Sequence, residues 1–125
     1  MPVIVVNLVF NPPEVSLIGK GLSTSIMNRL ESELIVRTTT SRPVTASMGT
    51  EGPLFVQNPN GCPAGAEVWR LTIPNHYCDD LAKCAFFGSV ISVMEGDGWS
   101  LVCSSATTTS GDGKEISRFF FSRRA

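Results

Sequence analysis

The stretch MEGDGWSLVCSSATTT, residues 94–109, decides how the chain is read. Apolar residues at helical spacing run up to Met94, two glycines follow, and a β-branched, aromatic segment begins at Trp99. A glycine after a helix relieves the strain of a left-handed C-cap, and Asp97 can bond its own backbone in such a turn. A phosphate-binding loop needs the reverse order, with a strand feeding a glycine loop that opens a helix. Here the carbonyl end of the helix meets the glycines, so residues 96–99 read as a corner between helix and sheet. A positive φ is expected at Gly96 or Gly98, and Trp99 is expected to be buried against the helix.

The elements on either side extend this reading. EVWRLTI, residues 67–73, sets Val68, Arg70 and Thr72 against Trp69, Leu71 and Ile73, a strand with two usable faces. After Pro74 a helix starts near Asp79 or Asp80. Leu81, Cys84, Ala85, Gly88 and Ile91 line one side of it, and Phe87, Val90 and Met94 widen the stripe. Residues 99–109 make a strand, 110–113 a tight turn, and KEISRFFFSRR, residues 114–124, a last strand.

The first part follows a similar plan. VIVVNLVF, residues 3–10, is apolar on both faces and suits a central strand. Residues 11–21 hold two prolines and two glycines and read as a loop. Leu22, Ile26, Leu30 and Leu34 recur every four residues with Met27 beside them, the stripe of a helix capped by Ser23 or Thr24. Residues 35–48 read as an edge strand containing Pro43, and 53–58 as a short returning strand. Both parts read strand, helix, strand, strand, as half-repeats 1–57 and 67–125 joined by a proline- and glycine-rich loop, 58–66. The predicted architecture is one α+β domain, with an antiparallel or mixed sheet of about six strands and both helices on one face.

Composition bounds the function. The 125 residues suit one domain, which at this size needs neither metal nor disulfide to fold. A net charge of -1 gives no general grip on nucleic acid. Only 17% of residues are charged, so pale surface is left for a partner or a second copy. No apolar run reaches the roughly 18 residues of a membrane span. Residues 1–10 lack a basic leader and suit a strand better than a signal peptide. The four cysteines, Cys62, Cys78, Cys84 and Cys103, are expected as free thiols in a cytoplasmic protein.

Residues 90–124 resemble a small bacterial domain family of unknown function. Its pattern is a helix, then glycine-x-x-glycine-tryptophan-glutamate-leucine-valine, then a strand rich in phenylalanine with a basic end. Gly98, Trp99, Leu101, Val102, Phe119 to Phe121 and Arg123 carry the resemblance, which extends over about Val68 to Arg124. Ser100 stands where that family has glutamate. The resemblance implies the helix-corner-hairpin arrangement and no chemistry.

Catalytic and metal chemistry find little support. His76 and Cys78 are two residues apart and Cys78 and Cys84 six apart, neither a zinc-knuckle spacing, and Cys62 and Cys103 complete no set. His76 with Cys78 or Cys62 is a conceivable nucleophile pair, but an exposed histidine beside a helix cap accounts for it equally. Asp79 and Asp80 suit a helix start, and Glu31 and Glu33 face different directions. Arg118, Arg123 and Arg124 flank the phenylalanines, yet three consecutive strand residues cannot share one face, so no stacking platform for nucleic acid is expected. No catalytic residue, metal or cofactor is assigned.

The function expected is therefore non-enzymatic: interaction with a protein partner or with a second copy, through Phe119, Phe120, Phe121 and Arg123. The alternative is a small apolar ligand in a groove between the halves, lined by Trp69, Trp99, Phe55 and Met48. Fold analogy alone carries that alternative.

Overall fold

In the computed structural model, residues 2–37, 54–57, 67–73, 77–108 and 114–123 are described. The central strand is β1, Val3–Val9. Strict alternation sends Ile4, Val6 and Leu8 into the core at zero exposure, while Val5, Asn7 and Val9 are half-buried on the other side. Each full burial of such a side chain stabilises by about 1.5–3 kcal/mol.

A turn over residues 10–13 leads into β2, Glu14–Gly19, which pairs antiparallel with β1. The loop expected over residues 11–21 is thus largely a strand. Pro12 and Pro13 fill the turn before it, and Gly19 and Gly21 close its far end, so the breakers bracket the strand and do not interrupt it. Between them Val15 and Leu17 face the core and Ser16 faces outward.

Helix α1, Thr24–Leu34, starts at Ser23, whose hydroxyl accepts from the Ile26 amide at 3.2 Å. Its buried stripe is Ile26, Leu30 and Leu34, with Leu22 and Met27 packed beside it. The edge strand expected over 35–48 lies, apart from the turn at 35–37, outside the described residues. So does the joining loop 58–66.

The short β3, Val56–Gln57, pairs with β4, Glu67–Thr72, and β4 pairs with β2. Helix α2, Asp80–Gly96, is capped by Asp79, which accepts from the Ala82 amide at 2.8 Å. Its buried side is Ala82, Phe86, Ser89, Val90, Val93 and Met94. Leu81, Cys84, Ala85 and Gly88, expected to line the buried stripe, are exposed. A helix apolar all round has no polar face to fix its phase, so spacing alone misplaces the buried side.

Two long strands finish the chain, β5, Ser100–Thr108, and β6, Glu115–Ser122. The six strands form one antiparallel sheet in the order β3-β4-β2-β1-β6-β5. Buried residues of both helices join Ile4, Val6, Leu8, Val15, Leu17, Leu71, Phe119 and Phe121 in one core, so both helices cover the same face. Edge-to-face rings run through it. Phe10 meets Phe86 at 5.4 Å and Phe87 at 5.5 Å, Phe87 meets Phe119 at 5.5 Å, and Phe119 meets Phe121 at 6.5 Å. This is the α+β sheet with two helices on one face that the sequence implies.

Candidate interaction surface

Three features lie outside the contact between the helices and the sheet. The first is β5. Among the described residues it is the last strand of the sheet and pairs only with β6, and it exposes every one of its nine residues. SLVCSSATT contains no charge, no proline and no glycine. Leu101 is 37% and Val102 64% exposed. A bulge between Leu101 and Cys103 inserts Val102 and leaves Cys103–Thr108 regular.

The second is the outer side of α2. Between Asp80 and Glu95 its exposed residues are Leu81, Cys84, Ala85, Gly88 and Ser92, none of them charged. Leu81 is 81% exposed.

The third is the helix-free face of the sheet. The registers place Val68, Ile18, Val5, Phe120 and Cys103 in one row across five strands. The next row runs Arg70, Ser16, Asn7, Arg118 and Ser105. Arg70 is held by Glu14 at 3.2 Å and by Ser16 at 3.4 Å, and Arg118 donates to Thr107 at 2.7 Å. The Asn7 Oδ1 in the middle is buried and receives no hydrogen bond.

The residues singled out from the sequence divide among these features and the core. Phe119 and Phe121 point inward at 8% and 0% exposure, against Val6 and Ile4 across the register. Phe120, between them, lies on the helix-free face opposite Val5. The triplet therefore turns one ring to the helix-free face and two to the core, since strand side chains alternate.

Arg123 caps the corner that opened the sequence reading. Gly98 has φ +90°, and Trp99 is 1% exposed. The guanidinium lies 5.1 Å from the Trp99 ring centroid. Its Nη2 donates to the Asp97 carbonyl and reaches Asp97 Oδ2 at 3.4 Å. Ser23 donates to the same carboxylate oxygen at 3.4 Å, tying the start of α1 to the end of α2.

Trp69, Phe55 and Trp99 do not converge. Trp69 stands on β4 and Trp99 precedes β5, with β2, β1 and β6 between those strands. Four spacings of about 4.8 Å separate such strands by roughly 19 Å. Phe55 is buried beside α1, its amide donating to Glu31 at 2.7 Å. Met48, Cys62, His76 and Arg124 lie outside the described residues. Cys78 is buried, its amide donating to Asn11 Oδ1 at 3.0 Å, while Cys84 and Cys103 are exposed free thiols. Among the described residues, no three His, Cys, Asp or Glu side chains gather as a metal site, and no helix is long and apolar enough to cross a membrane.

Sequence reasoning missed β5 as a surface. The signal available was its lack of any charge over nine residues. An exposed strand and a buried strand can share that composition.

No family model matches the chain. No curated protein matches it either. Among solved structures, the chain is similar to a conserved kinetoplastid-specific protein from Trypanosoma cruzi. Identity is 31%, the match covers 99% of this chain and 97% of that one, and the TM-score is 0.77. With that identity sustained over nearly the whole of both chains, the protein belongs to the same family as the T. cruzi protein.

Proposed function

We propose that this is a non-enzymatic protein-interaction domain. The observation that carries the reading is β5, a nine-residue uncharged strand with every residue exposed. An open edge offers a row of unpaired N–H and C=O groups, and proteins that work alone blunt such edges with charge, proline or very short strands. The uncharged outer side of α2 adds to the surface. A cytoplasmic setting goes with this reading, because Cys84 and Cys103 are exposed thiols that an oxidising compartment would couple. The apolar-ligand reading has no comparable support, with three strands lying between the strand that carries Trp69 and the strand that Trp99 precedes.

The test is a photo-crosslinking residue in place of Val102, expressed in living cells. A discrete adduct heavier than the 13.4 kDa chain is expected. If Val102 yields no adduct while a control position is competent, the interaction reading fails.

A further inference from the structure

We infer that the partner of β5 is the β5 strand of a second copy, running antiparallel, so that two sheets join into one of twelve strands, six from each chain. This rests on the interaction reading and names its partner.

Charge is the first argument. In a twofold antiparallel pair, each residue meets its own strand's sequence reversed. Any charged residue near the axis therefore meets its own like, which is destabilising. Natural edges exploit this repulsion to stay single. β5 carries no charge anywhere from Ser100 to Thr108, so no self-pairing register brings like charges together. Cys103–Thr108, six residues free of the bulge, has no charge, proline or glycine to oppose strand pairing.

Symmetry is the second. A twofold axis perpendicular to the sheet keeps the helix-covered faces of both copies on one side. Directly opposite residues must then share a face, which requires the axis to pass through a residue paired with itself. Ser104, Ser105 and Ala106 are the axis positions that keep the regular stretch paired about its middle. None of the three is bulky or charged, and all are exposed.

The third argument separates a second copy from a lone peptide strand. β5 is uncovered on its helix-side face as well as at its edge, including Leu101, Ser104, Ala106 and Thr108. Ser89 of α2 is turned toward α1, where Arg37 donates to it at 3.1 Å. About half a turn around the helix, Phe87 packs on Phe119 of β6, and Ile91 and Cys84 share that flank, the side on which β5 lies. A peptide strand would close the edge and leave this trough open. A second copy supplies a second α2 on the same side, so the paired β5 strands become the floor between two helices. Stable interfaces take roughly 800 Å² from each partner. A strand edge alone falls short of this, and the flanking helix surface adds to it.

Ser105 is the probe, since its counterpart lies within two residues of it in all three registers. S105K and S105E are each examined by sedimentation equilibrium, alone and as an equal mixture. The wild type is expected at twice 13.4 kDa. Each variant alone is expected to dimerise at least about tenfold more weakly, with an unchanged circular dichroism spectrum, and the mixture to regain the dimer. A dimer equally tight in both variants places self-association elsewhere. It overturns this pairing while leaving the interaction reading intact. A wild type that stays monomeric at hundreds of micromolar overturns the second copy as occupant. The Val102 crosslink then decides the broader reading, an adduct to another protein preserving it and no adduct ending it.

Discussion

The guanidinium of Arg123 lies over the indole of Trp99, 5.1 Å from its centroid, and clasps Asp97 from the same position. One side chain after β6 thus holds the end of α2 and the entry of β5. Arg123→Ala is expected to destabilise by about 1–2 kcal/mol, from the lost cation–π contact and hydrogen bonds to the corner. Arg123→Lys should recover only part, because an ammonium cannot stack flat and reach Asp97 at once. Urea unfolding of the three proteins measures the order.

Gly98 is fixed by backbone and neighbour together. Its φ is +90°, and an added Cβ would stand 3.2 Å from Arg123 Nη2 and 3.3 Å from Nε. Gly98→Ala is expected to cost about 1–2 kcal/mol. In an Arg123→Ala background the cost should fall without vanishing, because the steric part is relieved and the dihedral part remains. A double-mutant cycle reads the coupling, and strict additivity would mean that φ alone sets the cost.

Parity along β6 predicts unequal phenylalanines. Phe121→Ala removes a ring at 0% exposure and should destabilise by about 3–5 kcal/mol. Phe120→Ala, on the helix-free face, should cost well under half as much. Phe120→Asp should still give a folded protein. Thermal unfolding of the three variants checks it, and a larger loss at 120 than at 121 would mean that the strand's faces are assigned the wrong way round.

Thiol chemistry should sort the cysteines by position. Cys84 on α2 and Cys103 on β5 are exposed, and Cys78 is 1% exposed. Brief alkylation of the native protein, followed by peptide mapping, should label Cys84 fully and Cys78 only after denaturation. Cys103 distinguishes the assemblies. It should be labelled more slowly in a self-paired wild type than in S105K.

Much of the fold is legible from residue order. The alternation in β1 and β4, the caps Ser23 and Asp79 and the Gly98-Trp99 corner are local features, and each states its geometry within a few residues. β2 was hidden because Pro12, Pro13, Gly19 and Gly21 weigh heavily in any short window, although all four stand at its ends or beyond them. The buried side of α2 was hidden because Leu81, Cys84, Ala85 and Gly88 are as compatible with a core as Phe86, Val90 and Val93. Exposure of β5 is the least legible of all. It depends on where α2 stops covering the sheet, which no stretch of residues 100–108 encodes.

The pairing of β1 with β6 has a consequence for synthesis. β1 emerges from the ribosome before the other strands, yet Val3 to Leu8 must wait for Ser117 to Ser122, the last strand, before its second edge is closed. Until then the middle of the sheet is bare on one side, and the nascent chain presents Val-Ile-Val-Val to whatever holds unfinished proteins. Pairing across so long a separation in sequence also makes closure of the β1–β6 seam a slow, late event. The strand that finishes the core is the same one that carries β5, so the open edge forms in place only once the molecule beneath it is whole.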